Sequence, residues 1–172
     1  MLRVLKALRR PRRGNLSENM EFIVGSSKTF NVTDSTLHLL HRAGQRAEEM
    51  FAKALDGQSL TVRQFVVLSI VSGEENLSQN LICEKTGIDR STMADIVKRL
   101  VTRGWLSRRR SRRDARMYAI RLTDSGRGEL ERATPVAVSV DTEIVSGLNS
   151  KQRQDLNQGL KRISDVDVAE AA

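Results

Sequence analysis

Apolar residues recur every three or four positions along most of the chain, a pattern typical of amphipathic helices. The first stripe predicts a long helix with Thr33 or Asp34 as its N-cap and Gly57 at its end. Its members are Leu37, Leu40, His41, Gly44, Ala47, Phe51 and Ala54. The residues before it, 1–32, show no sustained periodicity and are interpreted as an N-terminal arm.

Three shorter helices are predicted next, each with a recognisable N-terminus. A capping box at Thr61-x-x-Gln64 opens the first, which ends at Gly73. Ser78 caps the second, which ends at Gly87, and Asp89 caps the third. This third helix runs to about residue 103, and its apolar face comprises Met93, Ile96, Val97, Leu100 and Val101. Two helices joined by a tight glycine turn predict a helix-turn-helix.

Beyond residue 104 the period changes to about two, which predicts a β-hairpin. The strands are Trp105–Arg109 and Arg116–Leu122, and the inward-facing positions are Leu106, Tyr118, Ile120 and Leu122. A helix-turn-helix followed by a basic hairpin is the winged form of the motif. The predicted fold class is therefore mainly α with a small β wing.

Two further helices follow the hairpin. Thr123 caps the first, which extends to about Ser146 and is expected to bend near Pro135. A second capping box, Asn149-x-x-Gln152, opens the last helix. Its apolar positions are Leu156, Leu160 and Ile163, and residues 166–172 form a tail that is expected to fray.

The charge of the chain is unevenly distributed. There are 29 basic and 21 acidic residues, a net charge of +8. Residues 1–13 hold six basic and no acidic side chains, and residues 98–121 hold ten basic and one acidic, a net of +9. The rest of the chain therefore carries a net charge of −7. Two basic strips on an acidic body point to a specific anionic partner.

Several classes of function are disfavoured. No apolar run approaches the ~20 residues of a membrane span, and no apolar region typical of a secretory signal follows the basic N-terminus. A single cysteine and two histidines without a carboxylate-rich companion motif do not indicate a metal site. No phosphate-binding loop or nucleophile motif occurs. We expect a cytoplasmic protein that is not an enzyme and has no catalytic residues, metal or cofactor.

The helix after Asp89 carries the best candidates for nucleic-acid binding. Opposite its apolar face lie Arg90, Ser91, Thr92, Asp95, Lys98 and Arg99, with Thr102 beyond them. An α-helix fits the major groove, where arginine pairs with guanine, hydroxyls bond either base type and aspartate accepts from cytosine. A solvated amphipathic face is the alternative interpretation.

The hairpin supplies a second set of candidates, Arg112, Arg113, Asp114 and Arg116. A wing can lie along the phosphate backbone and insert an arginine into the minor groove, where the negative potential is strongest. Asp114 is two residues before Arg116 and can orient its guanidinium through a bidentate pair. The alternative is a surface salt bridge with little energetic weight.

These residues resemble the MarR family of winged-helix transcriptional regulators. The matching segments are LTVRQFVVL (60–68), the stretch 88–109, Asp114-x-Arg116 and LTDSG (122–126), in an order that covers residues 33–165. The resemblance implies a homodimer on double-stranded, pseudo-palindromic DNA. It assigns 33–57 to a dimerisation helix, 58–122 to the winged domain and 123–165 to C-terminal dimerisation helices. Residues 1–32, the basic N-terminal arm, and 166–172, the tail, lie outside the resemblance. It also implies that Arg116 enters the minor groove.

The resemblance further implies a repressor that is relieved by a small-molecule effector. LHRAGQ (40–45), with 62–65 and 88–92, looks most like members that regulate the breakdown of aromatic compounds. The effector would be an aromatic acid or its CoA thioester. His38, His41, Arg42 and Phe65 are the pocket candidates, with ordinary core packing as the alternative for each.

Two alternatives to an aromatic-acid regulator stay open. Some family members sense oxidants through cysteine, which makes a thiol-based stress regulator one alternative. Cys83, however, lies in the short helix before the turn, where core packing is favoured. A winged-helix module that binds an acidic protein partner is the other alternative.

Overall fold

The computed structural model describes residues 31–56, 60–74, 76–110 and 118–169. The chain divides into two compact units, residues 1–42 and 43–172. The described part of the first unit holds a 3-10 turn, Val32–Asp34, and the first turns of helix α1, Thr36–Ala54. The remainder of α1 belongs to the second unit.

The start of α1 differs from the prediction. Thr33 and Asp34 were expected to cap it, but both are taken up by the 3-10 turn. Asn31 caps that turn, because its side-chain oxygen accepts from the Thr33 amide at 3.1 Å. Ser35 then caps α1, with its hydroxyl accepting from the His38 amide at 3.2 Å.

The second unit is mainly helical with a small sheet, which confirms the predicted fold class. Its helices are α2 (Val62–Gly73), α3 (Gln79–Thr86), α4 (Arg90–Thr102), α5 (Asp124–Ile144) and α6 (Ser150–Ala169). Its strands are β1 (Leu77–Ser78), β2 (Leu106–Arg110) and β3 (Tyr118–Leu122), antiparallel in the order β1-β3-β2.

Local capping chemistry defines most of these helices as the sequence predicts. Thr61 and Gln64 form the capping box of α2, and Ser78, Asp89 and Thr123 cap α3, α4 and α5. Gly87 and Gly104, with φ of +68° and +74°, end α3 and follow α4. Some element boundaries differ from those predicted from the sequence. Strand β2 begins at Leu106, α5 includes Pro135 and ends at Ile144, and α6 continues to residue 169.

The sheet contains two features that the alternation does not predict. Leu77 and Ser78 form a short strand that pairs with Ile120 and Ala119 of β3. Tyr118 was expected to face inward but is 52% exposed. Strand β1 pairs only with Ala119 and Ile120 of β3. Tyr118 lies beyond these two residues and pairs only with β2, so its side chain extends past the core.

The core lies between α2, α3, α4 and the sheet. Its largest fully buried side chains are Leu68, Ile82, Met93, Leu100, Leu106, Ile120, Val67 and Val97. Cys83 packs half-buried against this core, in agreement with the packing interpretation. By contrast, none of the described side chains of α6 is buried.

The first turn of α5 holds the junction between α4 and β2. The Thr123 hydroxyl donates to the carbonyl oxygens of Gly104 at 2.5 Å and Trp105 at 3.1 Å. The same hydroxyl accepts from the Gly126 amide at 3.0 Å. The start of α5 is therefore attached to the residues that join α4 to β2. No helix in the described ranges is long and apolar enough to cross a membrane.

Candidate nucleic-acid interface

Helix α4 separates a buried face from a polar, exposed one. Met93, Ile96, Val97 and Leu100 are buried in the core. On the other side Arg90, Ser91, Asp95, Lys98 and Arg99 are exposed and Thr92 is half-buried. The six α4 candidates from the sequence thus occur on one described helix, outside its buried stripe.

Asp89 organises the N-terminus of α4. Its carboxylate accepts from the Ser91 hydroxyl at 2.5 Å and from the amides of Ser91 and Thr92 at 3.0 Å each. The hydrogen bond from the Ser91 hydroxyl, followed by those from Thr92, holds the pKa of the Asp89 carboxyl well below its usual range. Because the Ser91 proton is committed to this cap, its oxygen is left to accept a hydrogen bond from a base.

The described part of the wing adds two cations that were not among the candidates. Arg108 and Arg109 on β2 are exposed, and Arg108 donates to the Gln79 side chain at 3.4 Å. Both stand in the basic run of the hairpin, and that run is the signal that could have identified them. The predicted wing residues Arg112, Arg113, Asp114 and Arg116 lie outside the described residues.

Arg103, directly after α4, connects this helix to α2 and to the residue before β2. Its guanidinium donates to the Gln64 side-chain oxygen at 3.4 Å. It also lies over the Trp105 ring, 5.0 Å from the centroid. The sequence treats Gln64 only as a capping residue, so this link between α2, α4 and the start of β2 was missed.

A cleft of about 550 Å³ lies in the second unit between the end of α1, the start of α2 and α4. Phe51, Leu60 and Ile96 supply buried apolar surface to it. Its other lining residues are Glu48, Ala52, Thr61, Val62, Arg63, Gln64, Thr92, Asp95 and Arg99. The size lies within the range of small-molecule sites.

The four predicted effector residues fall in both units. In the first unit His38 is half-buried, whereas His41 and Arg42 are exposed. In the second unit Phe65 is half-buried, with its ring 5.6 Å from that of Phe51 and tilted by 52°. Phe65 is a packing residue of the core and does not line the cleft.

The described residues do not bring together three His, Cys, Asp or Glu side chains that could hold a metal ion.

Comparison with known proteins agrees with this geometry. A model of the MarR family matches residues 58–117. The HTH-type transcriptional repressor NicR of Pseudomonas putida is 29% identical over 138 residues, 80% of this chain and 87% of that protein. These relatives are regulators rather than enzymes, as expected.

Two solved structures have the same fold over most of the chain. Bordetella bronchiseptica BpsR, whose DNA binding is regulated by 6-hydroxynicotinic acid, is 29% identical with a TM-score of 0.75, covering 79% of this chain and 97% of that one. The repressor CouR, bound to a 23-mer DNA duplex, is 28% identical with a TM-score of 0.71, covering 81% and 99%. The matched family model, the order of helices and wing, and these relatives lead to one assignment. Over residues 58–117 the chain matches the MarR family of winged helix-turn-helix transcriptional regulators.

Proposed function

We propose that the chain is a sequence-specific repressor that binds a pseudo-palindromic operator as a homodimer and is released by an aromatic acid or its CoA thioester. The genes it controls would serve the breakdown of aromatic compounds, and it would act in the bacterial cytoplasm. The observation that carries the proposal is the exposed polar face of α4, next to a strand with two exposed arginines.

In the proposed complex α4 lies in the major groove and reads base edges with its first turns. Arg90 pairs with guanine, Ser91 accepts from the amino group of adenine or cytosine, Thr92 contacts either base type, and Asp95 accepts from cytosine. Lys98 and Arg99, further along the helix, add positive charge toward the phosphates. CouR supports this mode, because a repressor of the same fold is bound to duplex DNA.

The wing contributes contacts that carry less sequence information. Arg112 and Arg113 are proposed to contact the phosphate backbone and Arg116 to enter the minor groove, oriented by Asp114. These four residues come from the sequence and the family resemblance. Arg108 and Arg109 extend the same basic surface along β2.

Dimerisation is supported by an apolar stripe on α6. Leu156, Leu160 and Ile163 are 40%, 37% and 58% exposed at helical spacing, and nothing in the described residues covers them. Such a face favours association with another apolar surface. A second copy of the chain would supply that surface and place two α4 helices about 34 Å apart in successive major grooves.

The double substitution Leu160→Asp, Ile163→Asp should therefore convert the dimer to a monomer, because charges cannot be buried in an apolar interface without a partner. Sedimentation analysis measures the change in mass. A matched control, Lys161→Asp and Ser164→Asp, alters two other exposed positions of the same helix turn. If the Leu160→Asp, Ile163→Asp protein is still a dimer, the dimer interface does not include this stripe of α6.

The effector half of the proposal rests on similarity to BpsR, which is regulated by 6-hydroxynicotinic acid. His38, His41, Arg42 and Phe65 are the residues proposed from the sequence to contact the effector. To release the operator, the ligand must bind the state that does not bind DNA more tightly, by about 1–3 kcal/mol of coupling.

A gel-shift assay on the DNA upstream of the gene, with excess nonspecific competitor, tests the function. We expect nanomolar protein to retard the DNA in the gel. Adding at least one hydroxylated aromatic acid or its CoA thioester should release the DNA from the protein. Binding that the nonspecific competitor abolishes would favour the protein-interaction module instead. Operator binding that no acid or thioester releases would contradict the effector class.

Base reading by α4 gives a sharper prediction. Asp95→Ala should change the preferred base at one position per half-site, at a cost of about 1–3 kcal/mol in discrimination. The slope of affinity against salt should stay close to the wild-type slope, because Asp95 neutralises no phosphate. Selection from randomised duplexes measures the preference. If the Asp95→Ala protein selects the same sequence as wild type, Asp95 does not contribute to base recognition and other residues read the bases.

A further inference from the structure

We propose that Asp89 determines part of the base specificity of α4, because it makes the neighbouring Ser91 hydroxyl an obligate hydrogen-bond acceptor. The base that faces Ser91 would then carry an amino group, as adenine and cytosine do, and guanine and thymine would be excluded there. The proposal rests on the function given above and deepens it, since it names the residue that sets which base class Ser91 selects. Asp89 acts through Ser91 and is therefore a positioning residue.

One oxygen of the Asp89 carboxylate holds the first turn of α4. It accepts from the backbone amides of Ser91 and Thr92 at 3.0 Å each and from the Ser91 hydroxyl at 2.5 Å. Asp89 and Ser91 are both exposed, so the pair lies on the surface of the winged domain and not in its core. The hydroxyl of a residue proposed to read DNA is thus held by the residue that caps the same helix.

The proton between the two side-chain oxygens belongs to Ser91. Two oxygens 2.5 Å apart require a hydrogen between them, because their lone pairs would otherwise repel each other. The Ser91 hydroxyl, followed by Thr92, holds the pKa of the Asp89 carboxyl well below its usual range, so the carboxylate is ionised at neutral pH. An ionised carboxylate only accepts, and a hydroxyl has a single proton to donate. Ser91 consequently presents only lone pairs to a further partner.

The major groove offers two classes of hydrogen-bonding group to such an oxygen. The amino groups of adenine and cytosine donate, whereas guanine O6 and N7 and thymine O4 accept. An oxygen without a free proton pairs with the first class and is repelled by the second, and the negative charge of Asp89 adds to that repulsion. A serine whose proton is free can serve either class. The exclusion of guanine and thymine therefore comes from Asp89 and not from Ser91 alone.

Asp95 extends the same acceptor surface by one helical turn. Ser91 and Asp95 are four positions apart on α4, so they lie on one face of the helix, and both are exposed. The Asp95 carboxylate, like the committed Ser91 hydroxyl, has no proton to donate. We therefore expect amino-bearing bases at two nearby positions of each half-site.

Asp89→Asn is the diagnostic variant. Asparagine is as favourable as aspartate at an N-cap, and its oxygen can still accept from the Ser91 and Thr92 amides, so α4 should remain folded. A neutral amide oxygen has two lone pairs, which those two amides occupy, and the Ser91 proton then becomes available to DNA. The position that Ser91 faces should change from adenine or cytosine alone to any of the four bases.

Selection from randomised duplexes measures the preference, and Ser91→Ala identifies the position, because only the base that faces the hydroxyl should respond to its removal. In the wild-type protein we expect adenine or cytosine there, favoured about 5- to 50-fold over guanine or thymine. In Asp89→Asn this ratio should fall to about twofold or less, because the hydroxyl can then donate as well as accept. In the double variant the ratio should equal that of Ser91→Ala alone, since Asp89 acts only through the hydroxyl.

Asp124→Asn is the control for charge. Asp124 is exposed in the first turn of α5, so this variant loses the same negative charge without changing α4. Removing a negative charge near DNA raises affinity for every sequence, because the phosphates no longer repel it. The ratio between bases changes only when a base contact changes. Asp124→Asn should therefore keep the wild-type ratio.

Altered DNA tests the contact with an unaltered protein. In the selected duplex, the base that faces Ser91 is replaced by a purine without the 6-amino group or a pyrimidine without the 4-amino group. The wild-type protein should bind this duplex about 5- to 50-fold more weakly than the selected one. The Ser91→Ala protein should lose about twofold or less, because it has no hydroxyl to pair with the amino group.

The outcomes separate this proposal from the general function. If the wild-type protein selects guanine or thymine at the position that Ser91→Ala identifies, Ser91 is not an obligate acceptor and the proposal is wrong. The proposal also fails if Ser91→Ala alters no position or if Asp89→Asn keeps the wild-type ratio, while sequence-specific binding stands in both cases. A wild-type protein that selects no sequence contradicts the proposed function itself, and this proposal with it.

Discussion

Gly126→Ala should lower the thermal unfolding midpoint by about 6–12 °C, equivalent to roughly 3 kcal/mol for a chain of this size. A Cβ at residue 126 would overlap the carbonyl oxygen of Trp105, stand 2.8 Å from its carbonyl carbon and lie 2.9 Å from Leu122 Cδ1. Backbone atoms cannot rotate away as a flexible side chain can. The first turn of α5 would have to move off β2 and lose the hydrogen bonds that Thr123 donates to Gly104 and Trp105.

Gly128→Ala is the matched control, two residues further along the same helix. Apart from the neighbouring residues and the backbone of the same helix, no atom of the described residues lies within 4 Å of a Cβ added there. Alanine should stabilise the helix by about 0.4–1 kcal/mol, because it reduces the freedom of the unfolded chain. Both variants should be compared with wild type at equal protein concentration, since the proposed dimerisation would couple stability to concentration. Equal midpoints for the two variants would show that α5 does not approach Trp105 closely.

Local chemistry explains why the helices could be predicted from the sequence. An N-cap such as Asp89 or Thr123 acts within three residues, so its side chain marks the helix start without knowledge of the rest of the fold. Strand β1 shows the limit of such signals. Leu77 and Ser78 become a strand only because β3 pairs with them, more than 40 positions later in the chain. Tyr118 shows a second limit, since alternation cannot indicate where the covered part of a sheet ends.

The candidate site also has one part that the sequence predicts and one part that it does not. The polar face of α4 follows from helical periodicity, and the structure places its residues outside the buried stripe. The cleft depends instead on tertiary packing, which brings Gln64 of α2 to the same cavity as Arg99 of α4. In the sequence Gln64 has a complete explanation as a capping residue. Its second hydrogen bond, from Arg103, appears only in the folded chain.

The triple substitution Lys98→Ala, Arg108→Ala, Arg109→Ala should reduce DNA affinity across all sequences and make it much less sensitive to salt. The three side chains are exposed on α4 and β2, the two described elements proposed to face DNA. In the proposed dimer the substitution removes six cations. Each phosphate contact contributes about 0.9 to the slope of log K against log salt, so the slope should become shallower by about 5.

Binding isotherms at several salt concentrations measure that slope, on the operator and on an unrelated duplex. Because phosphate contacts position the protein without reading sequence, affinity for both duplexes should fall while the preferred bases stay the same. Arg46→Ala, Lys53→Ala, Arg127→Ala removes the same charge from exposed positions on α1 and α5 and serves as the control. If the two triple variants lose equal slope, the effect belongs to net charge alone, and the α4–β2 surface is not the one that contacts DNA.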